Sequence, residues 1–374
     1  MRVMFDSQIF CHQRFGGIAR YVTSMAAELA KLQDVTPLIV APFHFNEYLE
    51  RLPRRLVYGR RVRWLEGATP FAFAASAIPT RFVEMRFRPD IVHNTFYFPA
   101  HRVAGARRIF TVHDMIHEKY PRDALANPLI ARWKALCVRR ADHVICVSEN
   151  TRRDVLDIYG ISSERVSVTH LGYDDLGALL STETATQFKT RVLGADAPFL
   201  LYVGGRKGYK NFGALLRAYS ESNWLRENFF LLCFGGGNFA AEEKMAISRA
   251  GVADRVKYGG GSDADLASCY RHASVFVYPS LYEGFGIPPL EAMSLDCPVA
   301  CSGNSALPEV VGDAAKTFEP TNADSIRAAL ECVLGSDSSL AVFVERGRIR
   351  RQLFSWKSCA ERTVGVYRTL LGRS

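Results

Sequence analysis

Short apolar runs alternate with stretches whose apolar residues recur every three or four positions along nearly the whole chain. The runs are three to six residues long and rich in Val, Ile, Leu and Phe, the signature of strands buried on both faces. In the first half they fall at 3–5, 37–41, 90–93, 109–112, 143–147 and 166–169. In the second half they fall at 199–203, 229–234, 256–258, 275–278 and 299–301. The helical spacing between them predicts helices over 18–31, 124–140, 150–158, 211–221, 240–250, 264–272 and 324–334, with a last amphipathic one over 354–371. Strands separated by helices predict the α/β class with parallel sheets, because a parallel pair needs a crossover.

A chain of 374 residues exceeds one ordinary core and predicts two domains. The polar, Thr-rich stretch between Leu171 and Ala197 marks the division, giving domains over 1–180 and 181–354. No internal repeat or low-complexity tract is visible. In open sheets of this kind ligands bind where strand ends face helix starts, so the strand-end loops are the places to look for chemistry.

Composition narrows the class. With 48% hydrophobic and 23% charged residues the chain is that of a soluble globular protein. No apolar run approaches the ~20 residues that cross a bilayer. The opening MRVMFDSQIF turns polar too soon for a secretory leader, which points to the cytoplasm. Nine cysteines, with no C-x-x-C pair and several in apolar runs, such as Cys146 and Cys233, read as buried thiols of a reducing compartment. Cys297 and Cys301 stand four apart without partners of ligand type.

Charge adds a direction. Of the net +9, residues 1–180 hold +7, from 25 Lys+Arg against 18 Asp+Glu. Six arginines crowd into residues 51–63: Arg51, Arg54, Arg55, Arg60, Arg61 and Arg63. Such a run is usually a solvated face, but here Leu, Val, Tyr58 and Trp64 interleave it. That mixture suits anionic lipid headgroups, at the inner face of the plasma membrane. No helix-turn-helix, zinc-finger or RNP pattern accompanies the charge, so no nucleic acid is expected.

Five loops carry candidate chemistry. Residues 274–293, SVFVYPSLYEGFGIPPLEAM, run from an apolar strand through a glycine-broken loop into a helix beginning near Leu290. Pro288 and Pro289 suit a first helical turn, where the missing N–H would be unpaired anyway. Glu283 and Glu291 are eight positions apart on this junction. Each alone reads as a solvated or dipole-complementing residue. Together, beside backbone freed by Gly284 and Gly286, they can grip hydroxyls. The second loop, GGRKGYKN after the strand at 199–203, offers Arg206 and Lys210 to an anion, the first bidentately and the second as a point charge. The third has Gly16 and Gly17 before a helix, where a backbone N-terminus favours anions. The last two are histidine-bearing strand ends: HNTFYFP with Asn94 and Tyr97, and TVHDMIHE with His113 and Asp114. His12 joins Asn94, Tyr97 and Asp114 as polar candidates for contact with a ligand. The glycine runs at 235–237 and 259–261 identify no base. Asp263 and Asp265 form an Asp-x-Asp, but Ser262 with Asp265 fits a helix capping box, so no metal and no cofactor is expected.

The Glu-Gly-Phe-Gly-Ile-Pro-Pro-Leu-Glu segment resembles the E-x7-E signature of family 4 retaining glycosyltransferases (glycosyl transferases group 1), nearest to bacterial surface-polysaccharide mannosyltransferases. FGGIARY, His113, and the Arg206 and Lys210 pair fall in the family's order, so the resemblance spans nearly the whole chain. It implies the GT-B fold: two Rossmann-like domains with a central cleft, an N-terminal acceptor domain, a C-terminal donor domain, and a last helix over 355–374 crossing back to the first domain at a hinge near Ser355. It implies Gly16 and Gly17 at the donor diphosphate, Arg206 and Lys210 on the leaving group, and His113 near the reacting sugar. Glu291 would hold the ribose. Glu283, with Gly284, Phe285, Gly286 and Ile287, would hold the sugar hydroxyls. The substrates implied are a nucleotide-sugar donor, GDP-mannose before others, and a glycan or lipid-linked acceptor. UDP-glucose and UDP-N-acetylglucosamine donors, a sugar-nucleotide 2-epimerase of the same fold and a non-catalytic nucleotide-sugar-binding protein stay open.

Overall fold

The computed structural model describes residues 1–123 and 126–373. The apolar runs become strands of two sheets, and every pairing described in them is parallel. The first sheet holds β1 (Arg2–Phe5), β2 (Thr36–His44), β3 (Val57–Arg61), β4 (Ile91–Asn94), β5 (Arg107–Val112), β6 (His143–Cys146) and β7 (Val166–Val168). The second holds β8 (Phe199–Val203), β9 (Phe230–Phe234), β10 (Val256–Gly259), β11 (Val275–Tyr278), β12 (Val299–Ser302) and β13 (Ala315–Phe318). Their orders are β3-β2-β1-β4-β5-β6-β7 and β10-β9-β8-β11-β12-β13. Each order runs outward one way from its first strand and then reverses. The reversal falls between β1 and β4 in one sheet and between β8 and β11 in the other, and loops diverging there leave a crevice.

The chain divides into two compact units. One gathers Met1–Pro121, Ala126–Gly172 and the C-terminal segment from Phe354; the other gathers Tyr173–Leu353. In the first unit the terminal helix Trp356–Leu370 packs against α1 (Gly17–Leu29). Its buried Tyr367 hydroxyl lies 2.6 Å from Nδ1 of His93 on β4. In the second unit Leu200, Leu231, Val275 and Ala300 are fully buried at the centre of one core cluster. All nine cysteines are free thiols, and all but Cys332 are buried.

Strands β3 and β13 and the helices Ala185–Leu193 and Asp337–Arg351 are additional to the sequence expectations, and two further departures bear on function. The helix expected near Leu290 is Ile287–Ser294, so both prolines fall inside its first turn and Glu291 in its second. Glu291 therefore does not complement the helix terminus. Thr69–Phe87 forms a 19-residue helix, α2, where no element was expected. Its apolar residues lie all round, which gives no amphipathic signal to read.

Candidate active site

At the reversal of the second sheet, one loop leaves β8 and another leaves β11, and an ion pair joins them. Lys210 Nζ donates to Glu283 Oε1 at 2.7 Å and to the Tyr278 hydroxyl at 3.3 Å. The same ammonium lies 5.0 Å and 5.4 Å from the ring centres of Tyr209 and Tyr278. Burial works against the charge on Lys210, but the Glu283 carboxylate beside it prevails and holds its pKa well above the ordinary value. Burial, then Glu283, pushes the Tyr278 hydroxyl well up, so it stays a neutral donor. Both charged groups are largely withdrawn from solvent, and each compensates the other.

The loop that carries Glu283 is pinned at both ends. Its backbone N–H donates to Ser305 Oγ at 3.0 Å, and Asn304 Nδ2 donates to the Leu281 carbonyl at 2.9 Å. Gly286 is the residue before the helix, with φ of 112°, and a Cβ there would sit 2.6 Å from Leu307. Only glycine fits. Gly284, Phe285 and Ile287 complete the turn that carries Glu283 into the helix. Glu291, buried one helical turn further, lies 3.5 Å from the Tyr270 hydroxyl.

Arg206, expected on the leaving group, is engaged within the protein. Its side chain is 2% exposed. Nε donates to Glu243 Oε1 at 3.0 Å, Nη1 to the Gly235 carbonyl at 2.7 Å, and Nη2 to the Gly237 and Asn238 carbonyls and to Glu243 Oε2 at 2.7, 3.2 and 3.3 Å. Phe239 stacks under the guanidinium at 4.9 Å. An arginine with its donors spent in this way holds the glycine loop after β9 in shape and has little left for a diphosphate. At Gly236 of that loop φ is 70°, and an added Cβ would meet the Gly204 carbonyl at 2.7 Å. The expected Arg206 and Lys210 pair is thus separated: Lys210 faces Glu283, and Arg206 faces Glu243.

The reversal of the first sheet gathers different groups. Asp6, after β1, accepts from the Asn94 side chain at 2.5 Å and from the Thr95 hydroxyl and N–H at 2.6 and 3.1 Å. Burial raises the pKa of its carboxyl despite those donors. Gln8 clamps Phe98 through both backbone groups, at 2.9 Å each. His12 is exposed and stacks on Phe96 at 4.8 Å; burial of part of its ring lowers its pKa. Gly16 and Gly17 open α1 without a side-chain cap. A Cβ at Gly16 would meet the end of the Gln13 side chain.

Of the first-unit candidates, Asn94 and Tyr97 are buried and engaged. The Tyr97 hydroxyl accepts the His113 backbone N–H at 3.3 Å, and its ring lies 4.9 Å from Lys134 Nζ. Tyr97 is therefore a support for the strand end. His113 follows β5, packs edge-on against Tyr21 at 5.0 Å, and is pushed down to about 4 by burial, so it is a neutral imidazole near pH 7. Asp114 Oδ1 accepts from the Ile116 N–H at 3.1 Å.

Lys134 was missed in the sequence. Fully buried on the helix Pro128–Arg140, it donates to the Asp114 carbonyl and to Glu118 Oε2, each at 2.9 Å. Glu118 also takes the Tyr159 hydroxyl at 2.7 Å. This network fixes the turn after His113. Only its place on an otherwise apolar stripe could have flagged it. The Ser262 and Asp265 pair does form the reciprocal capping box. No group of three or more His, Cys, Asp or Glu suited to a metal occurs among the described residues.

Two Rossmann-like α/β units with this strand order are the GT-B architecture of glycosyltransferases. The model of Glycosyltransferase Family 4 matches residues 15–175 and that of Glycosyl transferases group 1 matches residues 183–350; the chain belongs to this glycosyltransferase family. O-antigen chain mannosyltransferase B of Escherichia coli is 27% identical over 373 residues, covering 95% of this chain and 96% of that protein. The MMP alpha-(1->4)-mannosyltransferase of Mycolicibacterium hassiacum is 29% identical over 307 residues, 76% of this chain and 71% of that one. Among solved structures, Anabaena Alr3699/HepE in complex with UDP and glucose superposes with a TM-score of 0.75 at 17% identity, over 99% of this chain and 100% of that one. Sucrose-phosphate synthase from Thermosynechococcus elongatus gives 0.73 at 18% identity over the whole of both. These likenesses show the fold.

Proposed function

We propose that this glycosyltransferase moves a hexose, mannose from GDP-mannose, with retention of anomeric configuration, onto a glycan or lipid-linked acceptor of a cell-surface polysaccharide. The observation that carries the reading is the Lys210 and Glu283 pair at the second reversal, 2.7 Å apart. Without donor, each group neutralises the other. With donor, the diphosphate supplies an anion for Lys210, and sugar hydroxyls supply hydrogens for Glu283. Glu291 would take the ribose hydroxyls, and the uncapped start of α1 at Gly16 and Gly17 would favour the phosphates. The mannose assignment follows the names of the relatives. Arginines of residues 51–63 would face an anionic leaflet near a lipid-linked acceptor.

In the reaction the bond from the anomeric carbon to the diphosphate oxygen breaks, and a bond to the acceptor oxygen forms on the same face. The acceptor proton passes to the departing phosphate. Lys210 would hold the charge that grows on the diphosphate, and a fixed donor of this kind contributes about 10²–10³ in rate. His113, kept neutral, would donate a hydrogen bond to the sugar rather than a proton. The test is nucleotide release from GDP-, UDP- and ADP-sugars with the anomeric coupling of the product read by NMR. GDP-mannose should be turned over to an α-linked product. Turnover of UDP-glucose in its place, or an inverted product, refutes the respective part.

A further inference from the structure

The outer face of α2 carries a stripe of large apolar side chains that the described residues leave exposed. Phe71, Ile78, Phe82 and Met85 are 57%, 82%, 61% and 69% exposed. At 100° per residue these four positions fall within a sector of about 60°, so they form one ridge. The opposite side of the helix buries Ala72, Ser76 and Val83 against the sheet at β2. Trp64, 72% exposed, extends the ridge through its ring contact with Phe71 at 5.9 Å. Five large apolar groups gathered on one surface are more than a water-facing helix keeps without a partner.

Charge says what that partner is. Residues 51–88 contain nine arginines and two glutamates, a net +7 in a chain whose total is +9. One of the two, Glu84, is buried and lies 3.6 Å from Arg81 and 2.8 Å from His101. Arg81 and Arg86 flank the apolar ridge on its two sides, and Arg63 and Arg88 stand at its ends; all four are exposed. Arg61, by contrast, is consumed within the protein by Glu47 and Glu50, and Arg60 lies over Phe43. A second copy docking here would press two arginine-rich faces together, which charge opposes. An anionic bilayer surface satisfies both features: acyl chains take the ridge and phosphates take the arginines that snorkel beside it. No described helix is long and apolar enough to cross a membrane.

We infer that α2 is a membrane-surface anchor, lying in the plane of an anionic leaflet with Phe71, Ile78, Phe82 and Met85 in its acyl boundary. This deepens the proposed leaflet contact by moving its centre from residues 51–63 to α2, and it rests on no assumption about the donor. The test is flotation of the full chain with phosphatidylcholine vesicles, alone or with about 30 mol% phosphatidylglycerol. The native protein should float with the anionic vesicles only. Ile78→Ser with Phe82→Ser should lower the bound fraction at least about tenfold. Arg81→Ala with Arg86→Ala should lower it by about tenfold at low salt, a difference that closes at about 1 M salt. Both variants should keep the native response to nucleotide-sugars in thermal unfolding, which separates failure of the anchor from failure of the donor reading. Absence of native binding, equal binding by the Ile78→Ser, Phe82→Ser variant, or a native dimer that this variant dissolves would each overturn the proposal.

Discussion

The two strand reversals share one backbone plan and differ in chemistry. Between β1 and β4 the groups are an exposed histidine on an aromatic floor, a carboxyl saturated by Asn94 and Thr95, and a glutamine clamp. Between β8 and β11 they are a lysine–glutamate pair and glycine-rich backbone. The first presents a stacked ring and neutral hydrogen-bonding groups; the second holds two opposite charges beside glycine-rich backbone. Duplication of the strand order supplied two crevices, and side chains at the strand ends made them different sites.

The largest effect should come from the charged reversal. Lys210→Ala should lower turnover by about 10²–10³ and, by leaving Glu283 buried alone, destabilise the fold by about 3 kcal/mol. Retained rate at saturating donor would erase the distinction between the two reversals. Arg206→Ala sharpens it. If Arg206 shapes the 235–238 loop through Glu243, the variant should lose about 3 kcal/mol of stability, Glu243→Ala a comparable amount, and the double variant little more. Donor KM should rise while kcat stays within a few-fold. A pure loss of kcat would return Arg206 to the leaving group.

The protonation state of the first unit gives a third test. Burial holds His93 at about 3 and His113 at about 4, below the ordinary 6.5. A histidine lowered in the folded state is protonated first in the unfolded chain, so stability is complete above pH 6.5 and falls as pH drops towards 4. Each histidine should cost about 2 kcal/mol by pH 5. Thermal unfolding independent of pH between 7.5 and 5 would contradict their burial. The smallest effect belongs to His12→Ala, which should raise acceptor KM a few-fold and leave donor affinity unchanged. A change in donor affinity instead would put His12 on the donor, beside Gly16 and Gly17.

Much of this was legible in the chain. Runs such as 275–278 and 199–203 mark their strands because parallel strands are covered on both faces, and Ser262 announced its cap. The Glu283 and Glu291 junction could be placed at a strand end. Other features depend on contacts that spacing does not encode. Arg206 sits beside glycines that could cradle phosphate; its donors turn instead to carbonyls brought from β9. Lys134 reads as a surface residue of an ordinary helix until Glu118 and Tyr97 close over it. The α2 segment, apolar all round and interrupted by Pro79, shows no period that could announce it.

The central claim is that the β8 and β11 reversal binds a nucleoside diphosphate sugar through Lys210 and Glu283. Thermal unfolding of the native chain and of Lys210→Met, with GDP-mannose beside UDP- and ADP-sugars, tests it most directly. At 100 times its dissociation constant a bound donor should stabilise the native protein by about 2.7 kcal/mol, and the same concentration should leave Lys210→Met unshifted. No shift with any nucleotide-sugar, or an equal shift in the variant, would contradict it.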